Sequence, residues 1–171
     1  MADPNTTHTR ADFVFDAFFC AGVGGSIVAI FFLIVDTLNG QAFFTPTLMG
    51  SVLLQGAAAD AVIEPDLEIV AYYSIAHFVA FGLLGAAISF LVHELELYSS
   101  HPAILLLTIF VIFEVGFFLS CVIFMPGVLV RLGFAQVAVA NLLCAAGIAL
   151  WLVYSHRPDT WREWRHAAHL G

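Results

Sequence analysis

The sequence predicts an all-α protein, a four-helix transmembrane bundle with a short interfacial helix in the first outer loop. Of its 171 residues, 61% are hydrophobic and only 11% are charged, whereas about a quarter of the residues in a soluble domain carry a charge. Four apolar runs reach the roughly 20 residues that a helix needs to cross a bilayer. The net charge of −8 and the absence of lysine exclude a nucleic-acid partner, because no basic surface exists to neutralise phosphates.

The four apolar runs are the predicted membrane spans. They cover residues 13–35, 69–92, 103–125 and 132–154. Polar segments flank them, so the chain divides into an N-terminal tail (1–12), a four-span transmembrane domain (13–156) and an interfacial C-terminal tail (157–171). The first run is too long for a signal-peptide core and lacks a cleavage flank, so we expect an uncleaved first span.

Arginine positions predict the orientation, because cytoplasmic segments are enriched in Lys and Arg. The N-terminal tail carries Arg10 and the C-terminal tail carries three arginines, whereas the long first loop is acidic and has no basic residue. We therefore expect a multi-pass protein of the bacterial inner (cytoplasmic) membrane with both termini cytoplasmic. Arg131, in the second outer loop, departs from this pattern.

The C-terminal tail has the composition of an interfacial anchor. Tryptophan rings favour headgroup depth and arginines meet anionic lipid. Membrane lipids are thus one expected partner of the tail. The anchor residues are Trp161, Arg162, Trp164 and Arg165.

The first loop contains a further helix signal. Thr45 is a favourable capping residue, and Pro46 follows it at the position where proline is tolerated best. Leu48, Val52 and Leu53 recur on one face. The stretch to about residue 59 is too short to span, so we expect a short helix that lies at the outer interface or is tucked over the mouth of the bundle.

Three lone polar residues fall at similar depth in three different spans. Glu114 lies in the middle of LLLTIFVIFEVGFFLSCVIF, where an ionised carboxyl costs about 3 kcal/mol or more. His77 and Asn141 lie near the middle of the second and fourth spans. Unsatisfied polar groups are unfavourable in lipid, so we expect a polar cluster of these residues that extends outward through Tyr73 and Asp36.

The cluster has two interpretations. It fixes one packing of the helices by hydrogen bonds, or His77 and Glu114 form a proton relay, an ion site or a ligand site. Asp36 and Arg131 lie at a similar level and form a candidate outer ion pair. Asp36 also ends a predicted stripe of small residues on the first span, made up of Gly22, Gly25 and Ala29.

The sequence favours no cofactor strongly. No metal-ligand spacing such as HExxH is present, so no metal site is predicted. A b-type haem needs a second histidine at the depth of His77, and none is found. Chlorophyll needs only one, so a pigment or haem at His77 remains an open alternative. Cys20, Cys121 and Cys144 have no ligand spacing and are interpreted as small hydrophobic residues.

Four segments, FLIVDTLNGQAFFTPTLMGSVLLQG, YYSIAHFVAF, IFEVGFF and ANLLCAAGIALW, together resemble a family of small uncharacterised bacterial four-span membrane proteins. The segment that includes Asp36, Gly40 and Thr45 is the most specific. The resemblance implies the four-span architecture and matching polar positions at Asp36, His77, Glu114 and Asn141. It implies no activity.

No enzymatic motif is present, so we expect a non-catalytic protein. The favoured hypothesis is an accessory or scaffolding subunit of a larger inner-membrane complex, with respiratory and photosynthetic complexes as natural hosts. Its partners would be other integral membrane subunits that contact phenylalanine-rich faces, formed by Phe18, Phe19, Phe31, Phe32, Phe113, Phe117 and Phe118. The alternatives are a proton-coupled transporter or channel that uses Glu114 and His77, and a cofactor-binding subunit that uses His77.

Overall fold

The structure, a computed structural model, describes residues 10–94 and 102–156. Within these ranges the chain is all-α, as predicted, and forms six helices: α1 (Arg10–Leu38), α2 (Phe44–Gln55), α3 (Leu67–Glu94), α4 (Pro102–Phe124), α5 (Val128–Leu132) and α6 (Phe134–His156). The predicted anchor formed by Trp161, Arg162, Trp164 and Arg165 lies outside the described residues, as do residues 1–9 of the N-terminal tail.

Four of these helices are long and apolar enough to cross a membrane. The chain is therefore a multi-pass membrane protein, and the four predicted spans correspond to α1, α3, α4 and α6. The predicted loop helix is α2. The sequence did not predict α5, whose five residues follow Pro126 and Gly127, because that pair reads as a stop signal and the turn after it is very short.

The start of α3 is fixed by a side-chain cap. The Asp66 carboxylate accepts hydrogen bonds from the backbone N–H groups of Glu68 at 2.8 Å and Ile69 at 3.3 Å. These amides belong to the first turn of the helix and have no intrahelical acceptor. The helix consequently begins at Leu67, two residues before the predicted start of the span at 69.

The four spans form an arc in the order α3, α1, α6, α4. Neighbours in this arc run antiparallel, because consecutive spans cross in opposite directions. The two ends of the arc, α3 and α4, are not among the closely packed helix pairs. They touch where the rings of Phe81 and Phe113 lie with their centroids 5.5 Å apart.

Glycines set the closest approaches between α1 and its neighbours. A Cβ atom on Gly85 of α3 would lie 2.5 Å from the Ala17 carbonyl oxygen, and one on Gly24 would lie 2.9 Å from the Cys144 sulfur. The predicted small-residue stripe is only partly correct: Gly25 is buried, whereas Gly22 and Ala29 are exposed. The buried face is rotated from the predicted one because α1 packs between α3 and α6.

The apolar core has two parts, one on each side of the bilayer midpoint. Phe32 and Phe113 belong to this core, so their predicted lipid-facing position is wrong. Their rings fill the space between helices, whereas Phe18 and Phe118 lie on the exposed surface. The remaining phenylalanines of the predicted faces are half-buried: Phe19, Phe31 and Phe117. All three cysteines are free and buried in the packed interior.

Candidate functional site

A buried carboxylate joins α1 to α2. Asp36, near the end of α1, accepts the backbone N–H of Thr45 at 2.7 Å and the Thr45 hydroxyl at 2.8 Å. The helix begins at Phe44, and the residue before it, Phe43, adopts a left-handed conformation without a side-chain cap. Thr45 is therefore not the cap that the sequence predicted. Asp36 instead supplies the capping oxygen from another helix, and a negative charge there also complements the helix dipole.

The predicted ion pair between Asp36 and Arg131 is not formed. Arg131 donates two hydrogen bonds to the carbonyl oxygens of Ala59 and Ala61, at 2.6 and 2.7 Å. Its guanidinium also lies 5.4 Å from the centre of the Phe44 ring, within the range of a cation–π contact. Arg131 binds the first loop, which folds over α5. Asp36 binds Thr45, because α2 starts directly against it.

One contact of the predicted intramembrane cluster is present. The Asn141 amide donates a hydrogen bond to Oε1 of Glu114 at 3.3 Å, which links α6 to α4. Asn141 is buried and Glu114 is half-buried. This hydrogen bond is the only one made by the Glu114 carboxyl within the described residues.

His77 does not join this pair. Its Nε2–H donates to the carbonyl oxygen of Gly25 at 3.0 Å, across the interface between α3 and α1. The predicted cluster therefore contains no hydrogen bond from His77 to Glu114 or Asn141, because α3 packs on α1 and lies at the opposite end of the arc from α4. The rings of Tyr73, Phe78 and Phe81 surround the imidazole, with centroids 5.8, 5.4 and 4.6 Å away.

The outward extension of the predicted cluster is made of separate contacts. The Tyr73 hydroxyl donates to the sulfur of Met49 at 3.0 Å and so ties α3 to α2. Asp36 binds Thr45, as described above. The five predicted polar residues therefore form four contacts between helices. These contacts join two of the three pairs of neighbouring spans, α1 with α3 and α4 with α6, and they tie α2 to α1 and to α3.

A cavity of about 600 Å³ connects part of this set. It lies in the half of the bundle nearer α2, between α3 and α4, and α1 and α6 form its back wall. His77, Tyr73 and Asn141 line it, but Glu114 is not among its lining residues. A mostly apolar cavity of this size with a few polar groups is typical of a small-molecule site.

The hydrogen bond from Nε2 determines which nitrogen of His77 can bind a metal ion. With that nitrogen donating to the Gly25 carbonyl, the neutral imidazole keeps a lone pair on Nδ1 only. A haem iron or a chlorophyll magnesium would have to bind through that atom. Within the described residues, no group of three or more His, Cys, Asp or Glu side chains is close enough to hold a metal ion.

Four buried polar residues were not predicted from the sequence: Asp16, Thr47, Ser51 and Ser89. Asp16 is 3% exposed and Ser89 is completely buried. Asp16 falls within the first predicted span, and no role was predicted for it. Its spacing to Cys20 and Gly24, four and eight residues on, places it on the buried face of α1 and could have revealed it.

Comparison of the chain with protein-family models, with curated proteins and with solved structures found no match. The resemblance to small bacterial four-span proteins stays a prediction.

Proposed function

We propose that the chain is a non-catalytic accessory subunit of a larger assembly in the inner membrane of a bacterium, with both termini in the cytoplasm. The observation that carries the proposal is Glu114, a half-buried carboxyl near the middle of a span, which makes one 3.3 Å hydrogen bond. The asymmetry of the arginines supports the orientation.

The depth of Glu114 makes its incomplete pairing costly. It follows the start of α4 at Pro102 by 12 residues and precedes the end at Phe124 by 10, so it lies close to the bilayer midplane. An ionised carboxyl there costs about 3 kcal/mol or more unless it is partnered. A hydrogen-bond donor from a neighbouring chain would reduce this cost, and that reduction would favour assembly.

The large exposed surface of α4 supports a partner protein that packs on this helix. Only 17% of the residues in the most apolar stretch of α4 are buried, compared with 50% for α6. The reason is that α4 packs on α6 and α5 but not closely on α3. A row of exposed residues runs along it: Leu107, Val111, Val115, Phe118 and Val122. We infer that a partner helix with a mid-depth Asn, Gln, Ser or Tyr side chain covers this face.

The host that we propose is an energy-transducing complex of the inner membrane. An energy-transducing complex, respiratory or photosynthetic, offers many integral subunits that a small four-span protein can contact in the membrane plane. The chain's few charged residues leave the lipid-embedded surface as its main contact area.

Purification in a mild detergent tests the proposal. We expect the wild-type chain to travel with at least one integral membrane protein in fixed stoichiometry. Glu114→Leu removes the carboxyl and should release that partner, whereas Glu114→Gln keeps a hydrogen-bonding group of the same shape and should retain it. A wild-type chain that purifies as a monomer, or a partner that survives Glu114→Leu, would contradict the proposal.

A proton-coupled transporter or channel is the second candidate. It is favoured by Asn141, which bonds Glu114 and also lines the cavity that His77 lines. This candidate requires a titratable group, so Glu114→Gln should abolish proton flux into liposomes. The same substitution preserves the assembly expected of an accessory subunit, so the two experiments separate the candidates.

A cofactor-binding subunit is the third candidate, and it uses His77. The aromatic rings around the imidazole and the adjoining cavity favour it. An absorbance spectrum of the protein purified from its native membrane is the direct test. Bands of haem or chlorophyll that disappear in His77→Phe would support it, and a colourless preparation would exclude both groups.

A further inference from the structure

The cavity between α3 and α4 has the length of a small-molecule site and not that of a whole membrane span. Its wall on α3 runs from Val70 to Leu84, which corresponds to about 21 Å of helix. The hydrocarbon core of a bilayer is about 30 Å thick. An occupant of this cavity is therefore shorter than a transmembrane helix.

Both ends of the cavity are closed by the chain itself. Near the bilayer midpoint, Phe81 and Phe113 meet across the opening between α3 and α4. At the other end, α2 covers the cavity, and the bond between Tyr73 and Met49 holds it on α3. Exposed residues such as Ala80 and Phe124 also line the cavity, so a molecule can enter from the lipid between α3 and α4.

The hydroxyl groups that line the cavity have already used their hydrogens. Ser74 and Ser120 each donate to the carbonyl oxygen four residues earlier in their own helix, at 2.7 and 2.8 Å. Thr45 donates to Asp36 at 2.8 Å, and Tyr73 donates to Met49. What these oxygens still offer to a ligand is lone pairs, so they act as acceptors.

The imidazole adds a further acceptor. The Nε2–H of His77 is engaged by the Gly25 carbonyl, which leaves the Nδ1 lone pair. Asn141 donates one N–H to Glu114. Its second N–H is the one side-chain donor left among the described polar residues of the lining. The cavity therefore matches a ligand that donates hydrogen bonds.

The charge of the lining restricts the ligand further. Among the lining residues that the structure describes there is no arginine, aspartate or glutamate, and most of them are apolar. An anionic headgroup or a fatty-acid carboxylate would lose its hydration here without gaining a cation. The ligand is consequently uncharged.

We propose that this cavity binds a neutral, membrane-soluble molecule that carries a hydroxyl group, an alcohol or a phenol with an apolar body. The hydroxyl donates to the acceptors around His77, and the apolar body fills the space between α3 and α4. A bare phospholipid acyl chain would fill the same space without using these acceptors.

Three compounds with one apolar skeleton test the inference. Purified protein in detergent micelles is equilibrated with farnesol, farnesyl methyl ether or farnesoic acid, and bound compound is counted by native mass spectrometry. We expect farnesol to be retained about threefold to tenfold more than the ether, the ratio that corresponds to one net hydrogen bond. Equal retention of alcohol and ether, or stronger retention of the acid, would overturn the proposal.

Two glycine substitutions locate the binding. A Cβ on Gly116, which lines the cavity, would meet only Leu84 at 3.7 Å, and a Cβ on Gly82, which does not line it, would meet nothing within 4 Å. Gly116→Leu should fill part of the cavity and reduce farnesol retention at least threefold, while Gly82→Leu leaves it unchanged. Unchanged retention in Gly116→Leu would place the bound molecule elsewhere and overturn the proposal.

Discussion

The Asn141 amide donates to the Glu114 carboxyl across 3.3 Å and ties α6 to α4 near the middle of both helices. Asn141 is 5% exposed, so its amide has little contact with water or with the surrounding lipid. Glu114 is only half-buried and has hydrogen-bonding capacity left over. This hydrogen bond thus stabilises the packing of α6 on α4, and it leaves part of the hydrogen-bonding capacity of the Glu114 carboxyl unused.

A double-mutant cycle measures this contact. Asn141→Leu should lower the free energy of unfolding of the purified protein by about 1 kcal/mol, because it leaves the carboxyl without a donor. Glu114→Leu should cost at least as much, since it leaves the more deeply buried Asn141 amide without its acceptor. We expect a coupling energy of about 0.6 kcal/mol, the average for such pairs in membranes. The measurement is denaturant unfolding in detergent, and strictly additive effects would show that the pair does not interact.

Asp36 should be one of the most sensitive polar positions. Asp36→Ala removes both acceptors of Thr45 and should destabilise the protein by about 2 kcal/mol, since a lost helix cap and a lost hydroxyl partner combine. Thr45→Val removes one of the two bonds and should cost about half as much. Thr37→Val is the matched control, because that hydroxyl bonds its own helix on an exposed face. Thermal unfolding compares the three, and equal shifts for Asp36→Ala and the control would contradict the capping role.

The packing of α1 against α3 depends on the lack of a side chain at Gly85. Gly85→Ala would place a methyl group 2.5 Å from the Ala17 carbonyl oxygen, and backbone cannot move as cheaply as a side chain. We expect a loss of about 1–3 kcal/mol. Gly22→Ala meets no atom within 4 Å and should be neutral or slightly stabilising. If unfolding measurements show the two substitutions to be alike, α1 and α3 do not approach as closely as described.

The proposed orientation can be read with reporter fusions. Green fluorescent protein fused after residue 171 should fluoresce, because that end is proposed to stay in the cytoplasm. Alkaline phosphatase fused at the same point should be inactive, and a phosphatase inserted in the loop between α2 and α3 should be active. The reverse pattern would show that the arginine-rich end is exported.

The sequence was sufficient for the architecture. Spans and loop helix were predicted because hydrophobic length is a local property that each segment carries by itself. The helix boundaries differ from the predicted ones where a tertiary contact extends the helix. The first span was expected to end at Val35, but α1 continues to Leu38 because Asp36 is buried against Thr45. The five-residue α5 gave no periodic signal.

The depth of each polar residue along its helix was predictable from the sequence, but the neighbouring helix that it contacts was not. Counting residues placed His77, Glu114 and Asn141 at a similar level and predicted one cluster, and of its members Asn141 and Glu114 are hydrogen-bonded to each other. It could not tell which neighbour each helix has, and His77 turned to the backbone of α1. The order of helices in the arc is set by close glycine contacts, such as that of Gly85, which no pattern within one helix reveals.

Photo-cross-linking in native membranes tests the accessory-subunit proposal most directly. A benzoyl-phenylalanine placed at Val115 or Phe118, on the exposed face of α4 beside Glu114, should form an adduct with one discrete membrane protein. The same probe at Ile75 or Val79, on the exposed face of α3, should label lipid only. The α4 adduct should vanish in Glu114→Leu and persist in Glu114→Gln. Absence of any protein adduct from α4, or an adduct indifferent to Glu114→Leu, would contradict the proposal.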